Sequence, residues 1–209
     1  SAIVQEHFFS PDSNHAPAVS AITTSYIRES GTSTTQRPVL FVFNGGPGAS
    51  SSPLHMSAFG PKRFVLEKDS NVLVENKYSL LDIADLVFVD PPGTGFTRVF
   101  DIKAAGGYWD VMGDAQLFIE LIKKWKKENK RESAPLFLCG ESYGTARAAV
   151  MLGNAEDLPV AGVIFLSSVF DLTIVNPAPG NDMPYILFLP SMAAVAAYHQ
   201  PHKKASGSS

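Results

Sequence analysis

Cysteine is almost missing from this chain. Cys139 is the single one, so no intrachain disulfide can form. It lies in an apolar run, Pro135 to Cys139, which points to burial rather than reactivity. No apolar run reaches the roughly 18 residues of a membrane-spanning helix. Neither a metal-ligand spacing nor a dinucleotide fingerprint occurs, so no metal and no other cofactor is expected. Net charge is −3 without a basic stripe, which argues against nucleic acid as a partner. The one basic cluster is Lys123, Lys124, Lys126, Lys127, Lys130 and Arg131. It alternates with Glu120, Glu128 and Glu132 and reads as the solvated end of a helix. Ser1-Ala2-Ile3-Val4 shows no charged region, apolar stretch and cleavage site, which leaves a cytosolic protein and one with a removed leader both open.

What is present suits a folded domain: 209 residues, 45% hydrophobic, with 16 Gly and 15 Pro. Val19–Glu29 alternates and reads as a strand antiparallel to Ala2–Phe9, with Pro11-Asp12-Ser13-Asn14 turning between them. Pro38–Phe43, Leu86–Val89, Pro135–Cys139 and Val160–Leu166 are continuous apolar runs, the pattern of strands buried on both faces. Helical spacing over about Trp109–Asn129, with Leu117, Phe118, Leu121, Ile122 and Trp125 on one stripe, and over Ser142–Gly153 fills the gaps. Buried strands alternating with helices predict an α/β-hydrolase-like domain. It would have a mostly parallel sheet with helices on both faces, extending over residues 1–199. The antiparallel strands occupy about residues 1–36, and the tail 200–209 is expected to be disordered.

Residues 135 to 150 then carry a chemical signal. An apolar strand turns into an Ala-rich helix through Gly140-Glu141-Ser142-Tyr143-Gly144. A Gly-x-Ser-x-Gly turn between strand and helix holds its serine in a strained conformation, with the hydroxyl at the mouth of the sheet. A tight turn with an incidental serine is the plainer alternative. A serine nucleophile also needs donors for an oxyanion. Strand Pro38–Phe43 runs into Asn44-Gly45-Gly46-Pro47-Gly48, whose bare backbone can approach a substrate carbonyl, and Gly46 with Tyr143 would supply the two N–H groups. A Gly/Pro turn without chemistry is the alternative there. A third buried strand ends in Asp90-Pro91-Pro92-Gly93-Thr94-Gly95-Phe96, at the same sheet edge, and by itself reads equally as a plain turn.

Together the three segments, with Asn181-Asp182 and Leu189-Pro190-Ser191 further on, resemble the serine carboxypeptidase family over residues 37 to 199, in wording nearer its bacterial members. The resemblance implies a serine hydrolase that removes a C-terminal residue from a peptide through an acyl-enzyme on Ser142. Gly46 and Tyr143 would form the oxyanion hole, and Asn44, Gly45 and Glu141 would hold the substrate's terminal carboxylate. It also favours a secreted or periplasmic location. Where the family has a second glutamate this chain has Ala58, which leaves an esterase or acyltransferase variant open. Glu141 can also be read as a carboxylate favoured by a helix N-terminus.

The resemblance further implies a cap, two more strands, a catalytic Asp and a catalytic His, for which residues 143–209 hold no equivalent segment. Asp171 or Asp182 with His199 or His202 would satisfy the order of a self-contained triad. His55 is expected to line or pack beside the Gly-rich loop, and His7 and His15 carry no signal. Three explanations stay open: one half of a two-chain enzyme, with Lys203-Lys204 as a cleavage site; a truncated product; or a noncatalytic binding scaffold. All three expect an open sheet edge and a partner surface, whether a complementary C-terminal segment or an oligomer.

Overall fold

A computed structural model describes residues 1–12, 14–28, 36–66 and 70–199. The chain divides into two compact units, Ser1–Ser168 and Val169–Ser209. The first unit is built on a six-stranded sheet. β1 (Ala2–Phe9) and β2 (Val19–Tyr26) form the expected antiparallel pair, and β2 runs antiparallel to β6 (Asp85–Asp90). Beyond it lie β3 (Val39–Phe43), β7 (Leu136–Glu141) and β8 (Val160–Leu166), each parallel to its neighbour, in the order β1-β2-β6-β3-β7-β8.

Alternate residues of the central strands feed two cores. Val39, Phe41, Phe43, Val87, Val89, Leu136 and Leu138 pack with helices α1 (Val111–Glu128) and α2 (Tyr143–Asn154). Phe41 meets Trp125 edge-on at 5.3 Å, and the Trp125 indole N–H donates to Ser25 Oγ at 2.9 Å, so the largest buried side chain has its polar atom paired. Leu40, Val42, Leu86, Phe88 and Cys139 form the second core with Leu54 and Ala84. Burial pushes the Cys139 thiol up to about 12, the inert cysteine expected from its strand. Both faces carry helical segments, the second face through the turns Leu54–Phe59 and Leu80–Asp82. α1 and α2 share the first face. The second face retains an apolar hollow of about 410 Å³ lined by Leu40, Leu80, Ile83, Phe137, Val163 and Ile164. β8 is the edge strand on the side away from β1, with Ile164 and Phe165 exposed.

Two features differ from the sequence reading. β4 (Lys62–Leu66) and β5 (Asn71–Glu75) form a separate antiparallel hairpin that periodicity did not suggest. They are short, and the hairpin leaves Phe64 and Leu73 exposed, so no buried face marks them. The basic end of α1 is only partly solvated. Lys126 is buried with Nζ donating to the Ala134 carbonyl at 2.9 Å, and Arg131 is buried against Asp85 at 2.9 Å. Backbone carbonyls and a buried carboxylate compete successfully with water for these two cations, because their stems cover apolar surface.

The second unit contains a short turn, Leu172–Val175, and helix α3 (Met183–His199), which includes Pro190. α3 has no Asp, Glu, Lys or Arg and exposes Ile186, Leu189, Met192 and Tyr198. No helix among the described residues is long and apolar enough to cross a membrane. The expected tail and the Lys203-Lys204 pair lie outside the described residues.

Candidate active site

Parallel strands deliver their following loops to one sheet edge, and the three segments singled out in the sequence follow β3, β6 and β7 there. The turn after β7 is sharp. Ser142 takes φ 57° and ψ −123°, a positive φ that a residue with a Cβ adopts only under strain of about 1–3 kcal/mol. Its N–H donates to the Leu166 carbonyl at 2.9 Å, and its own carbonyl accepts from Thr145 N at 3.0 Å and Thr145 Oγ1 at 2.7 Å. The backbone is therefore held from both sides, while the hydroxyl makes no capping hydrogen bond to the helix it opens. Ser142 is half-buried. A Cβ on Gly140 would fall 2.2 Å from the Gly144 carbonyl oxygen, which is why a glycine precedes the turn.

The loop after β3 lies against this elbow. A Cβ on Gly45 would fall 2.4 Å from Tyr143 N and 2.6 Å from the Glu141 carbonyl oxygen, so only glycine permits the approach. Asn44 is buried and joins the two segments: its Nδ2 donates to Glu141 Oε2 at 2.9 Å. Asn44, Gly45, Glu141, Ser142 and Tyr143 are thus one cluster, with the exposed Gly46 next along the loop. Ala58 is half-buried against the second core.

Two supports escaped the sequence reading. Arg147, fully buried in α2, donates from Nη1 to the Asn44 carbonyl at 3.0 Å and from Nε to Asp114 Oδ2 at 2.8 Å. Its guanidinium lies 4.2 Å from the Phe118 ring centre and 5.3 Å from that of Tyr143. Burial, and then the Asp114 carboxylate, push the Tyr143 phenol up to about 12. An arginine within the apolar stretch of a helix was the signal available, since a buried cation requires a partner. The second support is Asp90, the last residue of β6, whose Oδ1 accepts the Ser51 N–H at 2.7 Å. Burial raises its carboxyl above the ordinary range, opposed by that hydrogen bond and by His55. His55 packs as expected, stacked on Phe88 at 4.4 Å with Nε2 2.8 Å from the Tyr26 hydroxyl, and burial lowers its pKa.

Asp171, Asp182 and His199 belong to the second unit. There Asp171 Oδ1 accepts from the Thr173 N–H and hydroxyl, which lowers its pKa. His202 lies outside the described residues. His7 is buried with Nε2 2.9 Å from Thr23 Oγ1, away from the elbow on β1. No group of three or more His, Cys, Asp or Glu among the described residues is placed to hold a metal ion.

A serine in a strained strand-to-helix turn on a mostly parallel sheet defines an α/β-hydrolase-like protein. Within that class the match is specific. The sequence model of the serine carboxypeptidase family matches residues 25–150, and the chain belongs to that family. It is similar to the pheromone-processing carboxypeptidase KEX1 of Podospora anserina, 40% identical over 110 residues, covering 52% of this chain and 18% of that protein. Serine carboxypeptidase-like 20 of Arabidopsis thaliana is 32% identical over 153 residues, covering 65% of this chain and 29% of that protein. The crystal structure of Kex1(Δ)p, a prohormone-processing carboxypeptidase from Saccharomyces cerevisiae, shares the fold with a TM-score of 0.62 at 18% identity, over 96% of this chain and 48% of that one. The chain therefore spans less than a third of these curated relatives and about half of that structure.

Proposed function

We propose that this chain is the nucleophile-bearing portion of a serine-type carboxypeptidase, with catalytic Asp and His supplied by a further segment or chain. The observation that carries the reading is the strained Ser142, met by the Asn44–Gly48 loop at an approach that only Gly45 allows. Ser142 Oγ attacks the carbonyl carbon of a peptide's last amide bond while the supplied histidine takes its proton. The N–H groups of Gly46 and Tyr143 receive the oxyanion, a contribution of about 3 kcal/mol per donor. The amine leaves with the proton, and water then cleaves the acyl-enzyme. Asn44, Gly45 and Glu141 bind the substrate's end. The exposed β8 edge and the neighbouring apolar hollow are the surface onto which the second segment adds.

A second reading is favoured by one observation. Glu141 is paired with the Asn44 amide, and by the family resemblance Ala58 takes the position of a second glutamate. Without that second acid to share a proton, the Glu141 carboxylate would repel a terminal carboxylate, so an ester or another uncharged acyl substrate would suit the site better.

A fluorophosphonate probe tests the proposal. It is expected to label Ser142 once the complementary segment is present, and Ser142→Ala is expected to abolish labelling. Absence of labelling with and without that segment would leave a noncatalytic scaffold. Faster turnover of an ester substrate whose terminal carboxylate is blocked than of the same ester with that carboxylate free would select the second reading.

A further inference from the structure

The loop carrying Asn44–Gly48 is anchored at its near end by Glu141 and Arg147. An oxyanion donor is effective only if it is already in position, and a displacement of about 1 Å can cost two orders of magnitude in rate. The far end of the loop, at Ser51, needs its own anchor. We propose that Asp90 is a positioning residue that fixes this far end, a role that rests on the reading of Ser142 as nucleophile.

Three observations carry the assignment. Asp90 Oδ1 accepts the Ser51 N–H at 2.7 Å. The Ser51 hydroxyl donates to the Val89 carbonyl with the Val42 carbonyl 3.5 Å away, so the residue that Asp90 grips is wedged between β3 and β6 and is 1% exposed. The other oxygen, Oδ2, faces the following loop so closely that a Cβ on Gly95 would fall 2.4 Å from it, and Gly95 has φ +55°. One carboxylate thus holds the Gly-rich loop on one side and abuts the Pro91–Arg98 loop on the other. The second loop is itself tied down, with Thr94 N donating to Thr97 Oγ1 at 2.9 Å and the Thr97 hydroxyl returning to the Thr94 carbonyl at 2.6 Å. The wall behind is also fixed, by His55 between Phe88 and Tyr26. A carboxylate in this half-buried place is costly to desolvate, and a simple loop stop would be served by a small neutral residue.

The test compares wild type, Asp90→Ala, Asp90→Asn and Asp90→Glu in the full chain with its complementary segment. It follows the rate of fluorophosphonate labelling at Ser142 over a range of probe concentrations, and amide hydrogen exchange. Asp90→Ala is expected to slow the limiting labelling rate about tenfold or more, with the half-saturating concentration changed by less than about twofold. Exchange at residues 45–52 should rise, and exchange in α2 should stay as in wild type. Asp90→Asn keeps an acceptor for Ser51 and is expected to recover most of both. Asp90→Glu shifts the acceptor by one methylene and should slow labelling as alanine does, which keeps the proposal falsifiable if the alanine variant does not fold. Labelling and loop exchange at wild-type levels in Asp90→Ala, or exchange rising equally across the sheet, would overturn it. If wild-type Ser142 does not react at all, the functional reading fails, while the exchange comparison still decides the role of Asp90.

Discussion

Strand β6 begins with Asp85 and ends with Asp90, and the two aspartates live differently. Asp85, fully buried at the amino edge of the parallel strands, is surrounded by donors. Oδ1 accepts from Arg37 Nε at 2.9 Å and from the Arg28 N–H at 3.1 Å, and Oδ2 from Arg131 Nη2 at 2.9 Å. Asp90, at the carboxyl edge, has one backbone N–H and a histidine that burial biases toward its neutral form. Asp85 is paired with two guanidinium groups where β6 starts, whereas Asp90, where it ends, is held by a backbone amide. The amino edge is therefore held by buried ion pairs, whereas the carboxyl edge carries backbone strain at Ser142, a condition that clusters at functional sites.

The largest effect expected from breaking this contrast is at the carboxyl edge. Gly45→Ala would drive a methyl into the Tyr143 amide and push the loop off the elbow. Labelling of Ser142 should fall about a hundredfold or more, the scale of losing an oxyanion donor, with the sheet still folded by circular dichroism. At the amino edge the loss should appear in stability instead. Asp85→Ala removes the carboxylate partner of the buried Arg131 and one of the partners of Arg37, and denaturant unfolding should show a loss of about 3–5 kcal/mol with the reactivity of the folded fraction unchanged.

A smaller, pH-dependent effect should come from outside both edges. His7 on β1 is buried, and its pKa is lowered from 6.5 to about 4, mainly by desolvation. The unfolded chain then binds the extra proton first, so stability is intact above pH 6.5 and declines as pH falls toward 4, by about 3 kcal/mol. Unfolding measured across that window should slope less in His7→Gln, which can keep the hydrogen bond to Thr23, than in wild type. Equal slopes would place the acid sensitivity in the carboxylates instead.

Much of this edge was legible in the residues alone. Gly140-x-Ser142-x-Gly144 between an apolar strand and a helix, and Asn44-Gly45-Gly46 after another, identified the elbow and the loop that meets it. In both, local backbone requirements dictate the residue type. The Ala2–Phe9 and Val19–Tyr26 pair was equally plain from alternation. The β4–β5 hairpin was not, because its strands bury no continuous face. Nor was the placing of α1 and α2 on one side of the sheet, which follows from strand order rather than from either helix's own stripe. Arg147 and Asp90 were visible only as a cation in a helix and an acid at a strand end.

Order along the chain and short-range sterics were enough to specify strands, helices and the strained turn, since φ, ψ and side-chain periodicity are properties of a few adjacent residues. Which charged groups meet was a matter of the assembled sheet. Asn44 and Glu141 are 97 positions apart, and Asp85 and Arg131 are 46 apart. Only parallel pairing of β3, β6 and β7 brings such distant groups within hydrogen-bonding range, where burial then fixes what each carboxylate is worth.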